Sequence, residues 1–230
     1  MKPPSIEREF TARIVPALAA LGFKRAGSKR FARVSNDVIQ LLFLQVRSGL
    51  RREFMLEYCA MLAFEPRNHE SLAHGGAFPV GSRSSVWYRA DTEERLGRSM
   101  ESVVENLPEL LQWFEATASL PGFITTYAAH SRTEPPGFQH NGHTSFTFAC
   151  AAAAAGDLPT ARTRLQQAVS EVQGIFQAYA AEYPKSANEH WAPERLARYE
   201  ELAAAIQNEG IPALFGRWRE MSLANFKLAP

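Results

Sequence analysis

The stretch KRFARVSNDVIQLLFLQV, residues 29–46, carries the strongest structural pattern in the chain. Two runs rich in aromatic and aliphatic residues, 29–34 and 38–46, flank Ser35-Asn36-Asp37, which is a set of good turn formers. The second run is nearly all apolar, and its two glutamines fall on opposite faces by the two-residue period of a strand. We therefore expect an antiparallel pair whose second strand is central and covered on both faces.

The sequence that follows extends this pair. A third run, 54–64, predicts a strand that completes an antiparallel meander, and 85–90, which contains Trp87 and Tyr88, can return as a fourth strand. Between them, residues 65–84 are rich in Gly, Ser, His and Arg and have no periodicity, which predicts a long loop. Loops of this length often carry function.

A helix is predicted before the strands. Ser5 can cap its N-terminus, and its apolar residues recur at helical spacing. Pro16 should kink this helix and Gly22 should end it. The apolar stripe consists of Ile6, Phe10, Ile14, Leu18 and Leu21.

Helices are also predicted after the strands. The run Asp91-Thr92-Glu93-Glu94 has the form of a capping box in which Asp91 is the cap and Glu94 reaches back. Asn106-Leu107-Pro108-Glu109 has the form of a helix stop followed by a second start. From about residue 119 onward no strand signal remains, and the break at Gly156-Asp157 predicts an αα-hairpin. A last pair of helices is expected around Pro193 and Gly210.

The element order predicts an α+β fold, with a small antiparallel sheet of three to four strands and packed helices, followed by an all-helical C-terminal part. The predicted domains are an α+β domain over 1–118 and a helical extension over 119–230 packed on it. The composition agrees with a folded protein, because 46% of residues are hydrophobic and 21% are charged.

The residues around the first hairpin resemble a known family. The run Leu21-Gly22-Phe23-Lys24-Arg25, the strand with Phe31-Ala32-Arg33 and the glutamines of the next strand are similar to the bacterial family called domain of unknown function 4304. The resemblance covers roughly the first 65 residues well and the first 115 loosely. It implies a small bacterial protein and brings no established activity, and it does not extend to the helices after 119.

The chain has a formal net charge of +1, which conceals an asymmetry. Residues 1–60 contain 11 Lys/Arg and 5 Asp/Glu, whereas residues 61–230 contain 14 and 19. A signal peptide or a membrane span of roughly 18 apolar residues is not recognisable, which predicts a cytoplasmic protein with no membrane partner. Cys59 and Cys150 lie in apolar runs, where a cysteine behaves as a small buried hydrophobe.

Basic residues of the first hairpin, together with Trp87, are the predicted partner-binding residues. The basic members of this set are Arg25, Lys29, Arg30 and Arg33. The alternative is that they solvate a turn and an edge strand. A further alternative is nucleic-acid binding, with Phe23 and Phe31 stacking on bases, although a pI of about 7.9 without a basic run argues against it.

Histidines in two loop regions form the other candidate site. His130, His140 and His143 could hold a zinc or iron ion, and His69 and His74 lie in the other loop. Glu70 or Glu134 would then supply the carboxylate base of a metal-dependent hydrolase. Their spacing does not match a metal-binding helix, on which histidines stand four residues apart.

The chain contains no catalytic signature. Neither Gly-x-Ser-x-Gly nor a glycine-rich nucleotide loop occurs, so no catalytic residue and no cofactor is assigned. We expect a bacterial protein that acts as a non-enzymatic interaction module of immunity or accessory type. Its partner would be another protein or a second copy of the chain, while the sequence leaves the partner's identity, any substrate and the oligomeric state open.

Overall fold

A computed structural model describes residues 5–48, 52–66, 74–82, 86–131, 143–184, 186 and 190–228. In these residues the chain forms an antiparallel sheet and a set of helices, which confirms the α+β fold with an all-helical C-terminal part. The strands are β1 (Lys24–Arg25), β2 (Arg30–Ser35), β3 (Val38–Arg47), β4 (Glu53–Leu62), β5 (Gly75–Ala77) and β6 (Tyr88–Arg89).

The helices begin before the sheet and continue after it. They are α1 (Ile6–Arg13), α2 (Val15–Ala20), α3 (Glu93–Ala116), α4 (Leu120–Ser131), α5 (His143–Ala154), α6 (Leu158–Glu182), α7 (Ala192–Gln207) and α8 (Ile211–Asn225). Among the described residues, none of these helices is both long enough and apolar enough to cross a membrane.

The described residues divide into two compact units. The first unit takes its residues from 1–61, 67–123 and 223–230, and the second takes them from 62–66 and 124–222. The first unit contains most of the sheet with α1, α2 and α3, whereas the second is built from helices and the short segment after β4.

The sheet of the first unit is a meander with two short additions. Its strand order is β1-β2-β3-β4, and both β5 and β6 pair with β4. The turn between β2 and β3 places Asn36 at φ 52°, a left-handed conformation that asparagine tolerates better than most residues. This turn sets the register in which Arg33 lies opposite Gln40.

One apolar core holds the helices of the first unit against its sheet. Phe10 of α1 contacts Phe31 of β2, and Phe114 of α3 contacts both Phe23 and Tyr58 through their rings. Each fully buried side chain of this size contributes about 1.5–3 kcal/mol to folding. The helical stripe predicted from the sequence lies in this core, with Ile6, Phe10, Ile14 and Leu18 buried.

Helix α3 differs from its prediction at both marked positions. Its N-cap is Thr92, whose Oγ1 accepts a hydrogen bond from the Arg95 backbone N–H at 3.2 Å, so the expectation that Asp91 is the cap was wrong. The expected stop near Pro108 was also wrong, because α3 is continuous through that residue. Proline removes the hydrogen bond to the Val104 carbonyl, but Val104 is 41% exposed, so water can replace the lost donor.

The second unit contains the predicted αα-hairpin. Gly156, at φ 78°, ends the α5 side, and the carboxylate of Asp157 caps α6 by accepting from the Thr160 N–H at 3.2 Å. Stacking between Phe146 of α5 and Tyr199 of α7, at 4.3 Å between ring centroids, ties a third helix to the hairpin.

Candidate interaction surface

A surface groove of about 420 Å³ lies between β6 and α3 in the first unit. We call it the Trp87 groove. The β6 side contributes Trp87, Tyr88 and Arg89. The α3 side contributes Arg95, Arg98, Ser99 and Ser102. These α3 residues stand three, four and seven positions apart, which is the spacing that brings side chains to one face of a helix.

Tyr88 anchors the β6 side of the groove in the core. Its backbone pairs with Phe54 of β4, and the two rings stack at a centroid distance of 5.3 Å. Its neighbours in sequence keep contact with solvent, since Trp87 is half-buried and Arg89 is exposed. The groove therefore has a rigid aromatic base with an exposed basic edge.

Trp87 carries a guanidinium on its ring. The Arg47 Cζ lies 3.6 Å from the ring centroid, a cation–π contact between the end of β3 and the residue before β6. This contact restricts the rotation of an aromatic side chain that remains partly open to solvent. Ordered tryptophan and arginine side chains of this kind are enriched among residues that dominate binding energy at protein interfaces.

Each arginine of the groove is paired with one of two carboxylates. Asp91 pairs with both Arg89, at 3.3 Å, and Arg95, and Glu94 pairs with Arg98 at 3.1 Å. Desolvation raises the pKa of Asp91, but hydrogen bonds from its own backbone and from Arg95, with the nearby positive charges, outweigh it and lower the pKa. Asp91 is therefore ionised at neutral pH.

Two hydroxyl groups in the groove have different surroundings. The Ser99 Oγ donates to the Arg89 carbonyl at 2.8 Å, which links α3 to β6. The Tyr88 hydroxyl is buried and has no hydrogen-bond partner among the described residues. Burial raises the pKa of Tyr88, so the phenol keeps its proton at neutral pH.

The predicted basic residues of the first hairpin are mostly engaged in contacts within the first unit. Arg25 donates to the carbonyls of Gly27 and Ser28 at 3.1 and 2.6 Å, which stabilises its own turn. Lys29 pairs with Glu7 at 3.6 Å. Both side chains still reach solvent, so they can contribute positive charge to that surface.

Arg30 and Arg33 hold the fold together. Arg30 donates to the carbonyls of Ala26, at 3.0 Å, and of Phe226, at 3.3 Å. Arg33 is only 9% exposed, and its guanidinium donates to the carbonyls of Leu21 and Phe114 at 2.7 and 2.9 Å. A buried guanidinium cannot reach a partner, so the expectation that Arg33 binds one was wrong.

The histidine candidates are only partly described. His69 and His140 lie outside the described residues, as do Glu70 and Glu134, and the side chain of His130 is not described. Among the residues that the structure covers, no group of three or more His, Cys, Asp or Glu side chains is arranged to hold a metal ion.

His74 and His143 belong to different units. His74 is 3% exposed and lies against the rings of Trp113, at 5.2 Å, and Phe123, at 4.9 Å. His143 places Nδ1 3.3 Å from a carboxylate oxygen of Glu65, a residue that sequence reasoning did not select. The two cysteines are fully buried, and neither is in a disulfide.

A second groove, of about 350 Å³, lies between α6 and α7 in the second unit. Leu165, Val169 and Ile206 give it an apolar base. Its rim has both charges, from Arg162 and Glu200, so its electrostatics do not select one class of ligand. The Trp87 groove is the better candidate because the charged residues that line it are all arginines and its aromatic anchor carries a cation–π contact.

Sequence reasoning selected Trp87 and noted Arg89 near it, but missed Arg47, Arg95 and Arg98. Arg95 and Arg98 could have been found from their spacing with Ser99 on the predicted helix face. Arg47 could not, because its contact with Trp87 joins two residues 40 positions apart.

Comparison with known proteins adds no relative. No protein-family model matches the chain, and neither the curated proteins nor the solved structures contain a significant match. The similarity to domain of unknown function 4304 therefore stays a prediction from the first hairpin.

Proposed function

We propose that this protein is a non-enzymatic interaction module whose Trp87 groove receives an acidic segment of another protein. The observation that carries the proposal is the fixed Trp87 ring, with Arg47 at 3.6 Å, beside the three arginines of the groove. An immunity or accessory role is one form that such a module could take.

Binding at this groove would cost little conformational entropy. The Trp87 ring already carries the Arg47 guanidinium, and Arg95 is already paired with the partly buried Asp91. Ordering a long side chain at an interface costs about 0.5–1.5 kcal/mol, and groups ordered in advance avoid most of that cost. The groove is therefore prepared for a partner before contact.

Charge defines which partner fits. Among the described residues, the groove and its contacts contain four guanidinium groups, Arg47 included, and two carboxylates, a net charge of +2. A positive patch attracts acidic segments, increases their association rate and disfavours basic ones. Aspartate or glutamate side chains beside an apolar residue that packs on Trp87 would satisfy both features.

A pair of tryptophan variants tests the proposal. Trp191 is a matched control, because it is 40% exposed and carries Arg195 at 4.3 Å from its ring, but it lies in the second unit. We expect a glutamate-rich peptide to bind the wild type and Trp191→Ala by calorimetry, and to lose about tenfold or more in affinity for Trp87→Ala. A lysine-rich peptide should not bind.

Equal affinity of both variants for the acidic peptide would contradict the proposal. Sedimentation of the wild type and Trp87→Ala shows whether the groove binds a separate acidic partner or a second copy of the chain. An oligomer that dissociates in Trp87→Ala would assign the groove to a second copy of the chain, which would also overturn a separate acidic partner.

A further inference from the structure

We propose that the Trp87 groove recognises a doubly charged phosphoryl group on the acidic segment, as in a phosphorylated serine or threonine. This inference rests on the proposed function, because it names the chemistry of the partner at the same site. Three features of the groove carry it, namely its charge, its donors and its size.

The charge of the groove matches a dianion. Its net charge of +2 already includes the negative charges of Asp91 and Glu94, which are paired with the arginines of the groove. A phosphoserine carries a charge of about −1.5 to −2 at pH 7, whereas a carboxylate carries about −1. Because Asp91 and Glu94 compete with any anionic ligand, a dianion gains an advantage over a single carboxylate.

The donors of the groove match a tetrahedral oxyanion. Arg95 and Arg98 stand on one face of α3 and remain 41% and 67% exposed, so each can turn unused N–H groups toward a ligand. Arginine presents its donors in a planar fork that fits phosphate oxygens.

The size of the groove favours a single phosphoryl group on a peptide over a nucleic acid. At about 420 Å³, it can hold one side chain and its immediate neighbours. A polynucleotide needs a longer basic track. Arg30 and Arg33, the residues that would extend one on the first hairpin, donate to backbone carbonyls instead.

Three peptides that differ at one position test the inference by calorimetry with the full chain. Each is a short glycine–alanine peptide with one aspartate, and its central residue is serine, glutamate or phosphoserine. At about pH 7.5 we expect phosphoserine to bind at least about tenfold more tightly than glutamate, and serine to bind most weakly. At about pH 5 the advantage should shrink, because the second phosphate pKa is about 6.

The arginine variants localise the effect. Arg95→Gln and Arg98→Gln should each weaken phosphoserine binding by about tenfold or more, while Arg8→Gln should leave it unchanged. Arg8 is a suitable control because it is 71% exposed on α1 of the same unit. Since all three arginines are on the surface, the variants are expected to fold, and circular dichroism checks this.

The possible failures are distinguishable. Equal affinity for glutamate and phosphoserine, with both lost in Arg95→Gln, would overturn the dianion inference and leave the proposed function intact. If none of the peptides binds, the inference is overturned and the glutamate-rich titration decides the proposed function separately. If inorganic phosphate or a short single-stranded oligonucleotide bound as tightly as the phosphoserine peptide, the claim that the groove recognises a phosphoryl group on a peptide would be overturned.

Discussion

The two units bury charges of opposite sign and satisfy them in different ways. In the first unit, the Arg33 guanidinium donates to main-chain carbonyls at the ends of α2 and α3, Leu21 and Phe114. In the second unit, the Glu65 carboxylate, 2% exposed, accepts from Thr147 at 3.0 Å and lies beside His143. The cation is held by two backbone carbonyls together with the Gln40 and Glu115 side chains, whereas the anion contacts the Thr147 and His143 side chains.

The Arg33 arrangement follows the helix dipole. The carbonyl end of a helix is partly negative and its amide end is partly positive. Arg33 lies at the carbonyl ends of α2 and α3, whereas the Glu65 carboxylate contacts the side chains of Thr147 and His143. The comparison teaches that the first unit uses helix termini, and the second uses side chains, to replace the water that a buried charge has lost.

The largest expected effect comes from removing the buried cation. Arg33→Met should lower the free energy of unfolding by about 3–5 kcal/mol, because it leaves the Leu21 carbonyl and the Gln40 side-chain oxygen without their donor in a buried site. Urea denaturation measures this change. Arg25→Met is the control, and it should change stability by less than about 0.5 kcal/mol because Arg25 is exposed.

A smaller effect is expected at the buried anion. Glu65→Gln keeps the shape of the side chain but replaces one acceptor oxygen with a donor, so the contact with Thr147 or with His143 is lost. We expect a loss of about 1–3 kcal/mol by the same denaturation. If Glu65→Gln cost as much as Arg33→Met, then the two sets of partners would be equivalent and the comparison would fail.

The pH dependence of the second unit sharpens the comparison further. Desolvation raises the pKa of Tyr199, which is 1% exposed, far above its usual value of about 10. Above pH 10 the unfolded chain releases this proton and the folded chain retains it. The unfolding free energy should therefore fall by at most about 1.4 kcal/mol per pH unit from this residue.

The measurement is a set of urea denaturations between about pH 9 and about pH 11. Tyr199→Phe should reduce the alkaline slope relative to the wild type, whereas Tyr179→Phe, a half-exposed position on α6, should leave most of the slope. An unchanged slope in Tyr199→Phe would show that burial of this phenol does not control the alkaline stability.

Local patterns predicted the elements that depend on neighbouring residues. Ser5, Gly22 and Asp157 lie at the helix ends where their side chains or positive φ angles are needed. The apolar run of β3 is buried as expected. Capping, turn formation and periodicity depend on residues a few positions apart, so they can be predicted from a short stretch of sequence.

Elements that depend on distant residues were missed. β5 lies in a segment expected to be a loop, and a Cβ at Gly75 would lie 2.0 Å from the Tyr58 carbonyl oxygen, so glycine is required there by a strand 17 positions away. The Trp87 groove also depends on distant residues. Arg47 of β3, the residues at β6 and the arginines of α3 form it together, and the local sequence of one element does not indicate that it meets the others.

The hydrogen bonds of Arg33 and Gln40 to the end of α3 have a consequence for the cooperativity of unfolding. Gln40 of β3 also donates to the Phe114 carbonyl and to Thr117, at 2.5 and 2.6 Å. Side chains of both β2 and β3 are therefore hydrogen-bonded to the last turn of α3. A helix terminus in water frays first, because its last carbonyls exchange freely with solvent. Here that terminus can open only when the middle of the sheet opens, and its amide protons should share the slow hydrogen exchange of β2 and β3.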